Sequence, residues 1–459
     1  MTCVILLAFY LLGASLAAAE NSVWSNTSVK KEAGITVFTV EDKATGKPLP
    51  FRAIIKASDG TFADGSKRGV YNDGRFFADG YTSVKLPAGV AQIQISAGPE
   101  YLPLSFEIDV SSSAGALVEV SLHRWIHLAD RGWYGGDNHV HARHDDHAPI
   151  KTSLSYAALQ ARAGGLNFIT ESGSSVSYDE LESLNTEHFK IRHCGEIRPG
   201  PYIGHFNPAG LTEPLEPEFY EKLIQRPLPA QALYAEVRKR GGIMIHTHPL
   251  MPRHQLHWMG ASEAWSDAVL QNTADLFDVD ANHTERLWFT LLNLGNKIGV
   301  SGHTDAALGR TNTKSPGDQR IYCRGDRVDY DHFLESMRAG KTMATNGGPL
   351  FGFLSIGGAI HPGDTMPNAD KLVVDLEIQG LNELESAAIY LNGERKVALN
   401  VRGKSGPLKF SEVIRDVPQD RDSWLVARVQ DKKGKWCLTS PIYIDIDTAE
   451  PKPAATVLF

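Results

Sequence analysis

The sequence predicts an α/β domain held between two all-β modules, and three observations carry that reading. Residues 35–122 and 346–459 break into short apolar strands separated by Gly, Asp, Asn and Pro clusters, with no helical period. Residues 133–345 instead alternate apolar strands with helical stretches, as repeated βα units of a parallel sheet or barrel do. Polar residues in that middle region gather just after the strands, where barrels of this kind carry their chemistry. The 459 residues exceed one typical domain. At 42% hydrophobic and 22% charged, the chain can bury a large core without disulfides. The expected parse is a leader at 1–19, a β-sandwich at 20–130, the barrel at 131–345 and a second β-sandwich at 346–459.

The elements follow in order. Residues 4–19 are almost wholly apolar, and Ala17, Ala18 and Ala19 offer a small-residue cleavage site before Glu20. The run is short for a membrane span, which needs about 20 apolar residues. A cleaved export signal is therefore expected, placing the mature chain in a periplasm or outside the cell, with no stable membrane span. An uncleaved anchor is the other reading, since the leader lacks Lys or Arg before its apolar run. Alternating Ile35, Val37 and Thr39 start the first sandwich; Phe51, Ala53 and Ile55 continue it, then residues 84–86, 91–95, 104–108 and 117–120. Residues 40–50, Val-Glu-Asp-Lys-Ala-Thr-Gly-Lys-Pro-Leu-Pro, resemble the first hairpin of carboxypeptidase-regulatory or transthyretin-like modules.

In the middle region, residues 153–163 read as a helix and 166–170 as a buried strand. Residues 229–240 form a helix closed by Gly241 and Gly242, followed by a strand at 243–245. Another helix at 284–294 ends at Gly295, before a strand at 298–301. The C-terminal strands are 372–378, 387–391, 425–429 and 442–446, with Asn392-Gly393 as a type I′ hairpin turn. Trp424 and Trp436 read as core aromatics, with a ligand surface as the alternative.

The formal charge of −8 and the lack of a basic run exclude a dedicated nucleic-acid binder. After the leader, Cys194, Cys323 and Cys437 remain. Three is odd, so at least one stays unpaired or pairs between chains, and no C-x-x-C spacing supports a cysteine zinc site.

The chemistry concentrates in residues 136–147, where four histidines and three aspartates occupy twelve positions. Strand alternation puts His139 and His141 on one face, half of a metal site. Asp137 reads as the carboxylate that orients an imidazole, or as a ligand itself. His144 and His147 compete for one further role. Glu196 is expected as a ligand, because a carboxylate bridges two cations more readily than histidine does. Glu171 and His205 are further metal candidates. Of the pair His246 and His248, at least one is a ligand, with His248 preferred. Asp305 ends another apolar strand, suited to bind metal and accept a proton from bound water, with His303 beside it. Asp278 reads either as a ligand or as its support. Arg143, His246, Arg253 and His254 are candidate substrate contacts, and His257 shares the loop of the last two.

Asp137-Asn138-His139-Val140-His141, Ile169-Thr170-Glu171, Gly195-Glu196, Gly204-His205, His248-Pro249 and Gly302-His303-Thr304-Asp305 together resemble the ordered motifs of the PHP (polymerase and histidinol phosphatase) superfamily. The resemblance is nearest to its carbaryl-hydrolase-like CehA/McbA branch, suggested also by residues 339–342 and 345–350. It covers the middle half of the chain. It implies a distorted (β/α)7 PHP-type barrel, here flanked by N- and C-terminal β-sandwich modules, with two or three divalent ions. Ser172 stands where the family has a histidine, and its Asp-x-His ending is inverted as His303-x-Asp305. These departures favour two ions (zinc or manganese, with iron as an alternative), or one firmly held and one labile.

The expected function is metal-assisted hydrolysis of an ester, amide, carbamate or phosphoester bond in a small-molecule or glycan-derived substrate. Three rivals stand beside it. One is an amidohydrolase-type enzyme, another a non-catalytic barrel binding an extracellular glycan or cell-wall component, and the third a purely structural metal site.

Overall fold

A computed structural model of the chain describes residues 21–29, 34–142, 148–173, 177–197, 205–213, 215–223, 225–226, 229–249, 273–279 and 282–446. Two compact units emerge. One holds the described residues of Met1–Arg131, Asp145–Gly165 and Leu308–Thr313; the other holds those of Gly132–His144, Leu166–Ala307 and Lys314–Phe459.

The first unit contains two four-stranded sheets. Val23–Val29, Gly115–Leu122, Ile35–Asp42 and Tyr81–Lys85 form one, in that order. Arg75–Asp79, Pro50–Lys56, Gly89–Ser96 and Leu104–Val110 form the other. Their alternating strands aim one face of each sheet into a shared core that includes Phe38, Val40, Phe51, Ile55, Phe76, Ile93, Val118 and Val120. The helix Leu154–Ala163 packs on the second of these sheets, against Pro50–Lys56 and Arg75–Asp79. The Ser153 hydroxyl caps it, accepting from the Tyr156 amide at 3.2 Å. Its buried Tyr156 joins Tyr71, Phe77 and Ile150 in a small apolar cluster. A local pattern marks this segment as a helix but does not say which sheet receives it.

The second unit corrects the predicted barrel. Trp133–His141, Phe168–Glu171 and Lys190–His193 do pair in parallel. On its other side, however, Trp133–His141 pairs antiparallel with Arg320–Arg324, and that strand pairs antiparallel with Thr342–Thr345. The same sheet continues through Trp436–Thr439 and Ser423–Asp431 into the C-terminal strands. A separate sheet holds Ile243–Thr247, Leu276–Asp278 and Gly299–Ser301 in parallel, with His205–Ala209 antiparallel at its edge. Among the described residues, then, the strands of 133–345 are divided between two open sheets with antiparallel neighbours rather than forming a closed (β/α)7 ring. The PHP-type barrel, and the superfamily and CehA/McbA assignment that implied it, do not hold for this fold.

The C-terminal part builds its own core. The sheet of Leu350–Ile356, Lys371–Gly380 and Leu408–Arg415 faces Leu384–Leu391 and Ser423–Asp431 through Leu354, Val374, Leu376, Ile389 and Leu425. Asn392 and Gly393 both adopt positive φ, 52° and 81°, as the type I′ turn between paired Leu391 and Glu394 requires. Trp424 is a core residue whose indole donates to Asn293 Oδ1 at 2.9 Å, and Trp436 packs against the same cluster. Cys194, Cys323 and Cys437 are all buried and free. No helix among the described residues is long and apolar enough to cross a membrane.

Gly136 sets the spacing of the strand that carries the site. A Cβ there would overlap the Phe168 ring, which is fully buried and stacked on Phe333 at 4.6 Å. Gly136→Ala should cost about 1–3 kcal/mol of stability, read as a lower denaturant midpoint at unchanged slope.

Candidate metal centre

Within the second unit, the Trp133–His141 strand is buried along nearly its whole length, so its polar side chains need partners. Asp137 finds them in its own strand and in the two loops that carry Thr304 and Gly317. Its carboxylate accepts from the Thr304 hydroxyl at 2.6 Å and from the backbone amides of His139, Thr304 and Gly317 at 3.2, 3.1 and 2.9 Å. Burial pushes its pKa up to about 6 against these hydrogen bonds. Asp137 thus ties the 303–305 loop to the strand instead of facing the cluster.

His139 and His141 do face it. Their Nε2 atoms approach to 2.9 Å. Asp305 Oδ1 lies 3.4 and 3.3 Å from them, and Glu196 Oε2 lies 3.7 and 3.6 Å away. Ligand atoms about 2.0–2.1 Å from a tetrahedral ion sit roughly 3.3 Å apart, so these separations are those of ligands around a common point. The other Glu196 oxygen, Oε1, meets His248 Nε2 at 3.0 Å and also contacts His205 Nδ1. Among the described residues, two groups able to hold a metal ion result, His139 with His141 and Asp305, and His139 with Glu196 and His248. The mixed imidazole and carboxylate donors suit a divalent ion such as zinc or manganese.

The backbone is bent to make this set. Gly195, at φ 58°, turns the chain between the Lys190–His193 strand and Glu196. His248 and Asp305 themselves adopt positive φ, 28° and 52°. Such conformations cost about 1–3 kcal/mol each at non-glycine residues and cluster at functional sites.

Electrostatics fit the donor set. Burial opposes ionisation of Glu196, yet hydrogen bonds with His139, His205 and His248 hold its carboxyl well below the usual range. Asp305 is likewise held low against burial, by His141 and the neighbouring His139, His248 and His303 rings. Burial drives His139 down to about 4, keeping it neutral as a ligand must be. Burial also opposes protonation of His141 and His248, but their carboxylate partners outweigh it and raise both.

Supporting groups surround the cluster. The His139 Nδ1 atom lies 3.0 Å from the Thr247 hydroxyl, which donates to Asp278 Oδ2 at 2.8 Å. Asp278, pushed up to about 6 by burial, also holds His303 Nε2 at 3.1 Å. The His303 ring stacks on His139 at 5.1 Å. Glu171 accepts from the Ala142 and Gly173 amides and pairs with His193 Nδ1 at 3.2 Å, outside both groups. Ser172 instead hydrogen-bonds buried Cys194.

His246, a candidate substrate contact in the sequence, lies outside both groups. Its ring stacks on Phe206 at 4.7 Å, lies edge-on to Phe277 and is fully buried. Strand alternation alone would give His246 and His248 one face, but His248 adopts a left-handed φ that breaks the alternation, and its ring stacks on His139 at 5.5 Å. Burial pushes His246 down to about 3, and its Nε2 has no hydrogen-bond partner among the described residues. The unfolded chain therefore binds a proton that the folded one refuses, so stability falls as pH drops from 6.5 toward 3. His246→Leu should flatten that slope, measured as denaturation midpoints across the window. Arg143, His144, His147, Arg253, His254 and His257 lie outside the described residues. Sequence reading missed Thr247 and His193; Thr247's place in a strand directly before a candidate ligand was the available signal.

No known protein family matches the chain, and no functionally described protein matches it in sequence. Among solved structures it is similar to a calcium-binding mutant of Bacteroides uniformis β-glucuronidase 2, at 10% identity and TM-score 0.21, over 94% of this chain and 59% of that one. A Parabacteroides merdae β-glucuronidase with glycerol in its active site follows, at 9% identity and TM-score 0.17, over 88% and 61%. The chain spans about three-fifths of the length of these enzymes. Scores this low assign no fold.

Proposed function

We propose that the protein is a metal-dependent hydrolase whose Glu196 carboxylate lies between two ion positions. The observation that carries this reading is Glu196 itself. Oε2 faces His139 and His141, while Oε1 faces His248 and His205. Asp305 completes the first group, and the single free lone pair of His139 Nε2, within reach of both groups, serves one of them. A structural site would close on four ligands, whereas these donors come from several strand ends and leave Asp305 partly exposed. A divalent ion bound there would supply an acidified water and polarise a carbonyl or phosphoryl oxygen.

The chain's own residues supply the rest. Asp305, a member of the first group, is also placed to accept a proton from bound water, its carboxyl held ionised by His141 and neighbouring imidazoles. Asp137 fixes the loop from which Asp305 projects. His303, gripped by Asp278, packs against His139 and limits its movement. Ester, amide, carbamate and phosphoester bonds all fit this chemistry, and export through the apolar leader at 1–19 suits a scavenging hydrolase.

The test is a panel of chromogenic esters, amides, carbamates and phosphoesters, run before and after chelation and again after re-addition of zinc or manganese. Turnover that chelation removes and metal restores supports the reading. Metal retained without turnover on any of them, together with binding to a glycan array, replaces the hydrolase with a binding protein.

A further inference from the structure

The hydrogen bonds behind His139 run in one direction. Thr247 and Asp278 are fully buried, and Thr247 Oγ1 lies between His139 Nδ1 at 3.0 Å and Asp278 Oδ2 at 2.8 Å. An ionised carboxylate can only accept, so the single hydroxyl proton of Thr247 goes to Asp278. The hydroxyl oxygen then has only lone pairs to offer the ring, and His139 Nδ1 must carry the proton. A neutral imidazole protonated at Nδ1 presents a bare lone pair at Nε2, the atom that faces His141, Asp305 and Glu196. The opposite tautomer would put a hydrogen into the metal position.

We propose that Thr247 is a positioning residue that locks His139 in the Nδ1–H tautomer, with Asp278 fixing the polarity of the hydroxyl. The inference rests on the metal reading of the cluster. Asp278 also holds His303 Nε2, so one carboxylate orients both stacked imidazoles. A threonine suits the place because its oxygen relays polarity between the two groups, and valine would keep the shape and lose the relay.

The experiment is a competitive Zn2+ titration of the wild-type protein, Thr247→Val and Thr247→Ser. The expected result is a 10–100-fold loss of Zn2+ affinity in Thr247→Val, with recovery of most of it in Thr247→Ser. Unchanged affinity in Thr247→Val overturns the inference, and so does a loss that serine fails to restore, since that points to packing by the methyl. A wild-type protein that binds no Zn2+ overturns the underlying metal reading instead. Should Thr247→Val not fold, 15N shifts of selectively labelled histidine in the metal-free wild type decide: an Nδ1–H signature for His139 supports the inference and an Nε2–H signature overturns it.

Discussion

Glu196→Gln should lower divalent-metal affinity by roughly 100-fold or more and remove turnover with it. The substitution keeps the side chain's shape, but one carboxylate oxygen becomes an amide nitrogen that cannot ligate, and the negative charge is lost. Removing a group that merely supports a ligand costs 10–100-fold, so removing a shared ligand should cost at least as much. Glu196 is distinctive because both of its oxygens are engaged, Oε2 by His139 and His141 and Oε1 by His205 and His248. Loss at one ion position therefore carries over to the other. The check is isothermal titration with Zn2+ and Mn2+, set beside turnover on whichever substrate the panel yields. If Glu196→Gln keeps wild-type affinity, no shared carboxylate joins the two groups.

Asp137→Ala should be the most destabilising single change at the site, by about 3–5 kcal/mol. Four buried donors would lose their acceptor: the Thr304 hydroxyl and the amides of His139, Thr304 and Gly317. Each orphaned buried donor costs about 1–3 kcal/mol, and relaxation or an inserted water recovers part of the sum. Asp137→Asn keeps one acceptor oxygen and should lie between. The loop that Asp137 holds ends in Asp305 at positive φ, so loosening it lets the backbone relax and withdraws a ligand. Denaturant midpoints for the three proteins should fall in the order wild type, Asn, Ala, and metal affinity should follow the same order. An alanine variant within about 0.5 kcal/mol of wild type would mean that solvent replaces those hydrogen bonds freely.

What could be read in the sequence depended on whether the signal was local. His139 and His141 were legible because a strand's period of two decides which side chains share a face. His248 and Asp305 were legible as polar residues placed just after apolar strands, and Glu196 as a carboxylate after a short, apolar-poor one. His246 was not, because a left-handed turn at His248 resets the alternation, and no residue type announces that turn. Thr247 reads in sequence as an ordinary β-branched strand residue; only its placement between His139 and Asp278 gives it a part. The barrel was overread for a related reason. The strand-and-helix alternation was visible, but pairing of Trp133–His141 with Arg320–Arg324 spans nearly two hundred positions and leaves no local trace. Likewise, nothing in the composition of the Leu154–Ala163 helix says that it packs on the N-terminal sheet.

Glu196 is expected to join two ion positions, one beside His139, His141 and Asp305 and one beside His248. Anomalous X-ray scattering, recorded above and below the zinc or manganese absorption edge from crystals grown with that metal, tests it most directly. The predicted result is two edge-dependent peaks flanking the Glu196 carboxylate, one beside His139, His141 and Asp305 and one beside His248. Metal-loaded crystals with a single edge-dependent peak near Glu196, or with none, would contradict it.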